Sequence, residues 1–131
     1  MKGAEPVWIE ERDVLTLHDL LLSVHGGAEG VREEGLLQSA MARARQWATR
    51  GENVDIVDMA TAYTAGIVKN HPFLDGNTRT GFVVAILFLE LNGFRFVATE
   101  SAAADAVLAL AAGHLDEAAY TRFLRENVAP D

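Results

Sequence analysis

One short segment, residues 71–79, holds the residues with the most informative chemistry, and its sequence is HPFLDGNTR. His71 carries an imidazole, which exchanges protons near neutral pH and can act as a base toward a hydroxyl group. Asp75 supplies a hard carboxylate oxygen, and Mg²⁺ is commonly held by such a carboxylate together with substrate phosphates. Arg79 has a permanently charged planar fork that can bind a phosphate through two parallel hydrogen bonds. The segment therefore predicts transfer of a phosphorus-containing group to a hydroxyl, with His71, Asp75 and Arg79 as catalytic residues.

The same segment is expected to begin a helix at Asn77. The first amides of a helix have no intrahelical acceptor, and this positive end attracts anions, so we expect the amides from Gly76 to Arg79 to bind phosphate. Gly76 has no side chain, which lets the backbone approach a ligand closely. Phe73 should anchor the loop in the core. The predicted phosphate-binding set is Phe73, Gly76, Asn77, Thr78 and Arg79.

Each of these residues has an ordinary structural explanation when it is taken alone. A single histidine is more often structural than catalytic, Asp-Gly usually marks a turn, and Asn77 can be no more than a helix cap. Their occurrence together at one loop-to-helix junction has no such explanation. The combination therefore favours a catalytic site over a plain bundle of helices.

Helical patterns surround this junction on both sides. Val14, Leu17 and Leu21 recur at helical spacing, and Asp55 stands where an N-cap is expected. The step from His71 to Pro72 should end a helix, because the residue before a proline avoids the helical conformation. The predicted helices cover residues 11–25, 34–50, 55–70, 77–92, 101–112 and 116–127.

The helix predicted at residues 77–92 is apolar on nearly every face, which is typical of a helix enclosed by its neighbours. We therefore predict an all-α fold, a compact bundle of about six helices around this buried central helix. A chain of 131 residues should form one domain, with residues 1–6 and 129–131 disordered. Residues 94–98 are expected to be an extended connector. A hairpin or flap is conceivable only in a loop, best between Arg50 and Asp55.

The composition excludes several classes of protein. The formal net charge is −8, from 11 Lys and Arg against 19 Asp and Glu, which disfavours nucleic acids and anionic membranes as partners. The chain has no cysteine, which excludes a disulfide scaffold, a zinc ribbon and a cysteine nucleophile. The most apolar run, residues 82–89, is too short to span a bilayer, and no signal-peptide pattern is present. We therefore expect a cytoplasmic protein.

Two other histidines, His18 and His25, share one face of the first predicted helix. They are about 10 Å apart along the helix axis, too far for one metal ion, so a core-facing or capping role is expected. The charged residues 32–34 should be solvated at a helix start. Gly26 and Gly27 are expected to end the first helix.

Residues 71–79 resemble the motif of the Fic family, HxFx[D/E]GNxR in one-letter code. The chain is more similar still to the Doc branch of that family, the death-on-curing toxins of bacterial toxin–antitoxin modules. Residues 17–19, 25–27 and 30–37 resemble the N-terminal part of Doc proteins, and residues 88–93 and 113–125 resemble the part after the motif. The resemblance thus extends over about residues 7–127.

This resemblance implies a fold, a reaction and partners. Doc enzymes transfer the terminal phosphate of ATP to a threonine of elongation factor Tu, which blocks translation, so ATP and Mg²⁺ are the implied cofactors. His71 would be the general base, Asp75 and Asn77 would serve metal and phosphate binding, Gly76 would form the anion hole, and Arg79 would bind phosphate. The resemblance also implies a cognate antitoxin, whose C-terminal segment folds into a groove on the toxin.

Thr78 departs from the family pattern. Doc proteins usually have lysine there, and Fic enzymes that transfer AMP usually have glycine. Two alternatives therefore stay open: an adenylyltransferase that moves AMP to a protein hydroxyl, and a catalytically degenerate Fic-fold protein that only binds a partner. Some Fic proteins inhibit themselves through the pattern [S/T]xxxE[G/N]. Residues 121–127 are one position too long for it, which favours inhibition by a separate partner.

Overall fold

The described residues of the computed structural model, 5–49 and 54–131, form a bundle of six helices and one small sheet. The helices are α1 (Glu11–His25), α2 (Glu34–Ala48), α3 (Ile56–Asn70), α4 (Asn77–Leu91), α5 (Glu100–Ala112) and α6 (Glu117–Glu126). The strands are β1 (Phe94–Phe96) and β2 (Val128–Pro130). The predicted all-α bundle is confirmed. The flap considered between Arg50 and Asp55 falls largely outside the described residues.

Helix α3 is the most enclosed element of the bundle. Residues 59–68 are all buried, and α3 packs against α2, α4, α5 and α6. Alanine, threonine and glycine dominate this stretch, and such small side chains let neighbouring helices approach from every side. Helix α4, predicted as the central helix, also contributes to the core, but Phe82 and Ile86 on one flank are only half-buried. That flank faces the cavity described below.

Gly66 marks the closest approach between α2 and α3. A Cβ atom at this position would lie 2.9 Å from the carbonyl oxygen of Ala40 and 3.1 Å from its Cα. We expect Gly66→Ala to lower the free energy of unfolding by about 1–3 kcal/mol, because the contact is with backbone and the helices must separate.

Urea unfolding at neutral pH measures this loss. Gly35→Ala is the matched control, because Gly35 lies in α2 with nothing within 4 Å of the added Cβ. The control should be neutral or stabilising by up to about 1 kcal/mol, since alanine is the better helix former. A Gly66→Ala protein as stable as the wild type would contradict the close packing.

The sheet differs from the sequence-based expectation at the C-terminus. Residues 129–131 were expected to be disordered, whereas β2 pairs antiparallel with β1, with Phe96 opposite Val128 and Arg95 opposite Ala129. The amide of Asp131 also donates to the carbonyl of Gly93 at 2.9 Å. Strands this short carry no alternating pattern, and their pairing depends on a partner about thirty residues away. The sheet holds Phe96 against Phe82 of α4, with ring centroids 5.7 Å apart.

Glu117 of α6 joins three helices through ion pairs. Its carboxylate accepts hydrogen bonds from Lys69 of α3 and Arg43 of α2, each at 2.8 Å. Burial alone would raise the pKa of Glu117, but the hydrogen bonds from these two cations outweigh it and hold the pKa below the usual value of 4.5.

This ion-paired carboxylate predicts a loss of stability in acid. Because the pKa is lower in the folded than in the unfolded chain, the contribution is complete above about pH 4.5 and is lost as the pH falls through the folded-state value. The partners are partly exposed, so we expect on the order of 1 kcal/mol. Urea unfolding at several pH values should show a shallower acid dependence for Glu117→Gln than for the wild type. Identical pH profiles would exclude this role.

None of the helices within residues 5–49 and 54–131 is long and apolar enough to cross a membrane.

Candidate active site

The motif segment forms a tight loop between α3 and α4. His71 ends α3 in the left-handed conformation, with φ 52° and ψ 58°, and α4 begins at Asn77. The side chain of Asn77 closes the loop: its Oδ1 accepts from the amide of Phe73 at 2.9 Å, and its Nδ2 donates to the carbonyl of Phe73 at 3.0 Å. Asn77 is therefore the residue that brings the two ends of the loop together.

This arrangement also favours one of the two neutral tautomers of His71. The two bonds to Phe73 fix the orientation of the Asn77 amide, and its Nδ2 lies 3.3 Å from Nδ1 of His71. An amide nitrogen can only donate, so Nδ1 accepts. The contact therefore favours the neutral tautomer with its proton on Nε2. The contact is long, so little is lost when the ring takes the other tautomer.

Asp75 is held by backbone groups on two sides. Its Oδ1 accepts from the amide of Gly76 at 2.9 Å, and its Oδ2 accepts from the amide of Ala28 at 3.2 Å. Ala28 belongs to the α1–α2 loop, residues 26–33. Gly27 allows this approach, since a Cβ there would lie 2.8 Å from Oδ2 of Asp75 and its φ is +127°. Gly27 is thus more than the predicted helix stop.

The α1–α2 loop lies along the whole motif loop. The amide of Leu74 donates to the carbonyl of Gly30 at 3.1 Å, and the amide of Arg32 donates to the carbonyl of Pro72 at 2.6 Å. The Arg32 guanidinium donates to the carbonyls of Asn70 and His71 at 2.9 and 2.8 Å. Arg32 was expected to be only a solvated charge, but it binds the negative C-terminal end of α3, where a cation is favoured. It therefore holds the backbone of His71.

The first turn of α4 provides an open helix N-terminus. Gly76 is the N-cap residue, with φ 80°, and no side chain caps the helix there. Helix geometry leaves the amides of Asn77, Thr78 and Arg79 without an intrahelical acceptor. The amide of Gly76 was also expected to bind an anion, but it already donates a hydrogen bond to the carboxylate of Asp75. Three of the four amides predicted to bind an anion are therefore available.

A cavity of about 690 Å³ opens in front of this turn. Its polar end is lined by His71, Asp75, Gly76, Asn77, Thr78 and Arg79, and its other end by apolar residues of α4, α5 and β1, among them Phe82, Ile86, Phe96 and Val107. Arg79 is exposed, and no partner for its guanidinium is found within the described part of the chain. All but one of the predicted site residues thus share one cavity.

Phe73 is the exception. Only 1% of it is exposed, it does not line the cavity, and its ring stacks on that of His18 with centroids 3.7 Å apart. Its predicted contact with a nucleotide or phosphate is therefore wrong, whereas its predicted role as an anchor in the core is confirmed. Phe73 stands between Pro72 and Leu74, and its large apolar side chain was the local sign that it packs inward.

Comparisons of the sequence with known proteins identify its family. Residues 8–89 match the family model described as the Fic/DOC family. The chain belongs to the Fic/Doc family. It is 27% identical over 117 residues to the protein named "Protein kinase doc" of Escherichia phage P1, which covers 89% of this chain and 92% of that protein. It is 34% identical over 93 residues to the protein named "Toxin Doc" of Mycolicibacterium smegmatis, which covers 70% of this chain and 68% of that protein.

The Fic/Doc loop of this chain fits a magnesium ion only in company with substrate phosphates. No group of three or more histidine, cysteine, aspartate or glutamate side chains that could enclose a metal occurs among the residues described. Asp75 is one carboxylate at the cavity wall, and each of its oxygens has a second lone pair beyond the backbone bond it accepts. One carboxylate with phosphates and waters is a common Mg²⁺ arrangement.

His18, like Arg32, lies outside the motif and contacts the loop of this Fic/Doc site. The expectation of a core-facing role is correct, since His18 is 2% exposed. Its Nε2 also lies 2.8 Å from the carbonyl oxygen of Asp75, a contact across 57 positions of sequence. No local pattern could reveal this contact. The only sign in the sequence was that residues 17–19, which include His18, belong to the part that resembles Doc proteins.

Proposed function

We propose that the chain is the toxin of a type II toxin–antitoxin module, and that it transfers the γ-phosphate of ATP to a threonine hydroxyl of elongation factor Tu. The observation that carries this proposal is one cavity that joins a histidine, an uncapped helix N-terminus and an unpaired arginine within the described residues. Its volume of about 690 Å³ lies within the range of about 300–1,000 Å³ typical of sites for small molecules. The names of both relatives, "Protein kinase doc" and "Toxin Doc", support it.

The polar end of the cavity suits the phosphates. The amides of Asn77, Thr78 and Arg79 and the guanidinium of Arg79 bind the terminal phosphate, because a helix N-terminus and a charged fork both favour an anion. Asp75 would hold Mg²⁺, which when bound would supply positive charge beside the phosphates. The apolar end, with Phe82 and Phe96, receives the adenine.

His71 removes the proton of the attacking threonine. The threonine oxygen forms a bond to the γ-phosphorus, the bond from that phosphorus to the bridging oxygen breaks, and ADP leaves with the electron pair. Nε2 accepts the proton after the ring has changed tautomer and given up its 3.3 Å contact with Asn77. A base positioned in this way contributes about 10²- to 10⁴-fold to the rate.

Thr78 leaves two alternatives open, transfer of AMP and a degenerate protein that only binds a partner. Thr78 lines the cavity in the first turn of α4, without the positive charge that a lysine would add beside a phosphate. Phosphate transfer is preferred because the likeness to Doc proteins extends far beyond the motif.

Labelled ATP distinguishes these reactions. The purified protein is incubated with elongation factor Tu and ATP labelled at either the γ- or the α-phosphorus, with His71→Ala as the control. We expect label in the factor from the γ position alone, and none with the variant. Label from the α position alone would establish AMP transfer instead. No label from either position would leave the binding-only alternative.

The implied partner is an antitoxin whose C-terminal segment folds into a groove of the toxin. Expression of the chain in the cytoplasm of a bacterium should arrest growth of the cells. Co-expression of the protein encoded beside it should restore growth. Growth that continues without any such partner would contradict the assignment to a toxin–antitoxin module.

A further inference from the structure

His18 of α1 contacts the motif loop at the point where its backbone turns toward α4. Its Nε2 lies 2.8 Å from the carbonyl oxygen of Asp75, and since a carbonyl can only accept, Nε2 donates. The imidazole is 2% exposed and stacks almost parallel on Phe73, at an interplanar angle of 9°. The ring is therefore held on one face while its N–H points at the loop.

We propose that His18 is a positioning residue for group transfer at this site, because it fixes the peptide between Asp75 and Gly76 and so the anion-binding turn. The proposal rests on the proposed function. His18 touches neither the nucleotide nor the attacking hydroxyl in this account. It acts through the backbone of the loop.

The peptide that His18 holds is the one that sets the direction of the next amides. A peptide unit is planar, so a bond to the Asp75 oxygen also fixes the N–H of Gly76. That N–H donates to Oδ1 of the same aspartate, which orients the carboxylate at the cavity wall. Gly76 follows in the left-handed conformation with φ 80°, and Asn77 then begins α4. The orientation of Asp75 and of the first amides of α4 thus depends on one peptide plane.

The left-handed conformation of Gly76 leaves this peptide in need of an external contact. Glycine occupies several backbone conformations at similar cost, so its own preference does not hold the turn. The donor on His18 supplies a restraint on the peptide itself from a separate helix. A Cβ on Gly76 would lie 3.6 Å from Nε2 of His18, in ordinary van der Waals contact, so the ring lies directly beside the turn.

A purely structural histidine would behave differently from a positioning one. If only the apolar packing of the ring mattered, a phenylalanine would replace His18 without loss, because it can stack on Phe73 in the same way. If the donor matters, glutamine should replace it, because its amide nitrogen is the same number of bonds from Cα as Nε2. Asparagine is one bond shorter, and its amide cannot reach the Asp75 carbonyl from the same backbone position.

The test compares His18→Gln, His18→Asn and His18→Phe with the wild type and with His25→Gln. His25 is an exposed histidine of the same helix with no role in the site. The rate of γ-phosphate transfer to elongation factor Tu is measured against ATP concentration. We expect kcat to fall about 10- to 100-fold for Phe and Asn, because small misplacements of a catalytic group cost this much. Gln should retain most of kcat, KM should change less, and His25→Gln should match the wild type.

A second readout needs no activity. The amide ¹H–¹⁵N signals of Gly76, Asn77 and Thr78 should be shifted or broadened in His18→Phe and His18→Asn, and close to wild type in His18→Gln. Urea unfolding of all variants shows whether a loss of kcat merely follows a loss of stability. Equal losses of kcat for Gln and Phe, or unchanged amide signals in the Phe variant, would overturn the proposal.

These readouts separate the two proposals. A wild-type protein that transfers no phosphate would refute the proposed function while the amide signals still decide the role of His18. If the Phe variant does not fold, the pair Gln and Asn decides, because both place an amide in the same buried space and differ only in reach.

Discussion

Replacement of His71 by alanine should lower the rate of phosphate transfer by about 10²- to 10⁴-fold, the range expected for loss of a general base. His71 lies at the polar end of the cavity beside Asp75 and Arg79, and it is exposed. Its side chain therefore contributes little packing. The expected result is a folded protein that binds ATP but does not transfer phosphate, measured with ATP labelled at the γ position.

The backbone of His71 requires a matched control. Its φ of 52° is the left-handed conformation, which costs alanine about 1–2 kcal/mol and which asparagine adopts more readily. His71→Asn should therefore be more stable than His71→Ala, and yet as inactive. This pair separates the chemistry of the imidazole from the strain of the loop. Transfer within about tenfold of wild type by His71→Asn would exclude His71 as the base.

Replacement of Arg79 by alanine should lower kcat/KM by about 10³-fold or more, as is typical when an arginine that stabilises a transferring phosphate is removed. Arg79 is exposed at the cavity wall and has no partner within the described part of the chain, so the side chain is available to a ligand. Its removal should leave the free energy of unfolding within about 0.5 kcal/mol of wild type.

Arg79→Lys is the control that separates charge from geometry. Lysine keeps the positive charge but lacks the planar fork that binds two phosphate oxygens at once. We expect kcat/KM of Arg79→Lys to lie between the values of Arg79→Ala and the wild type. The increase in unfolding temperature that ATP produces should likewise lie between those of Arg79→Ala and the wild type. If Arg79→Ala instead destabilised the protein by several kcal/mol, Arg79 would belong to a structural network and not to the phosphate site.

The sequence predicted the features of this fold that depend on neighbouring residues. Helix patterns, the proline after His71 and the glycine before Asn77 are local signals, and the helices begin and end close to the predicted positions. The reactive residues of the motif line one cavity because they lie on a single loop and the following turn. Their proximity is thus a consequence of short sequence separation.

The residues that hold the loop from outside could not be predicted in the same way. His18 and Arg32 lie on α1 and in the α1–α2 loop, and their contacts with the motif span 57 and 39 positions of sequence. A buried histidine or an exposed arginine has many possible partners, and no local pattern selects among them. The pairing of β2 with β1 was missed for the same reason.

The most direct test of the account is a crystal structure of the protein with Mg²⁺ and a non-hydrolysable ATP analogue. We expect the terminal phosphate beside the imidazole of His71, bound by the amides of the first turn of α4 and by the guanidinium of Arg79, with the adenine against Phe82 and Phe96. An α-phosphate in that place would indicate AMP transfer. A nucleotide bound elsewhere, or none bound at all, would contradict the account.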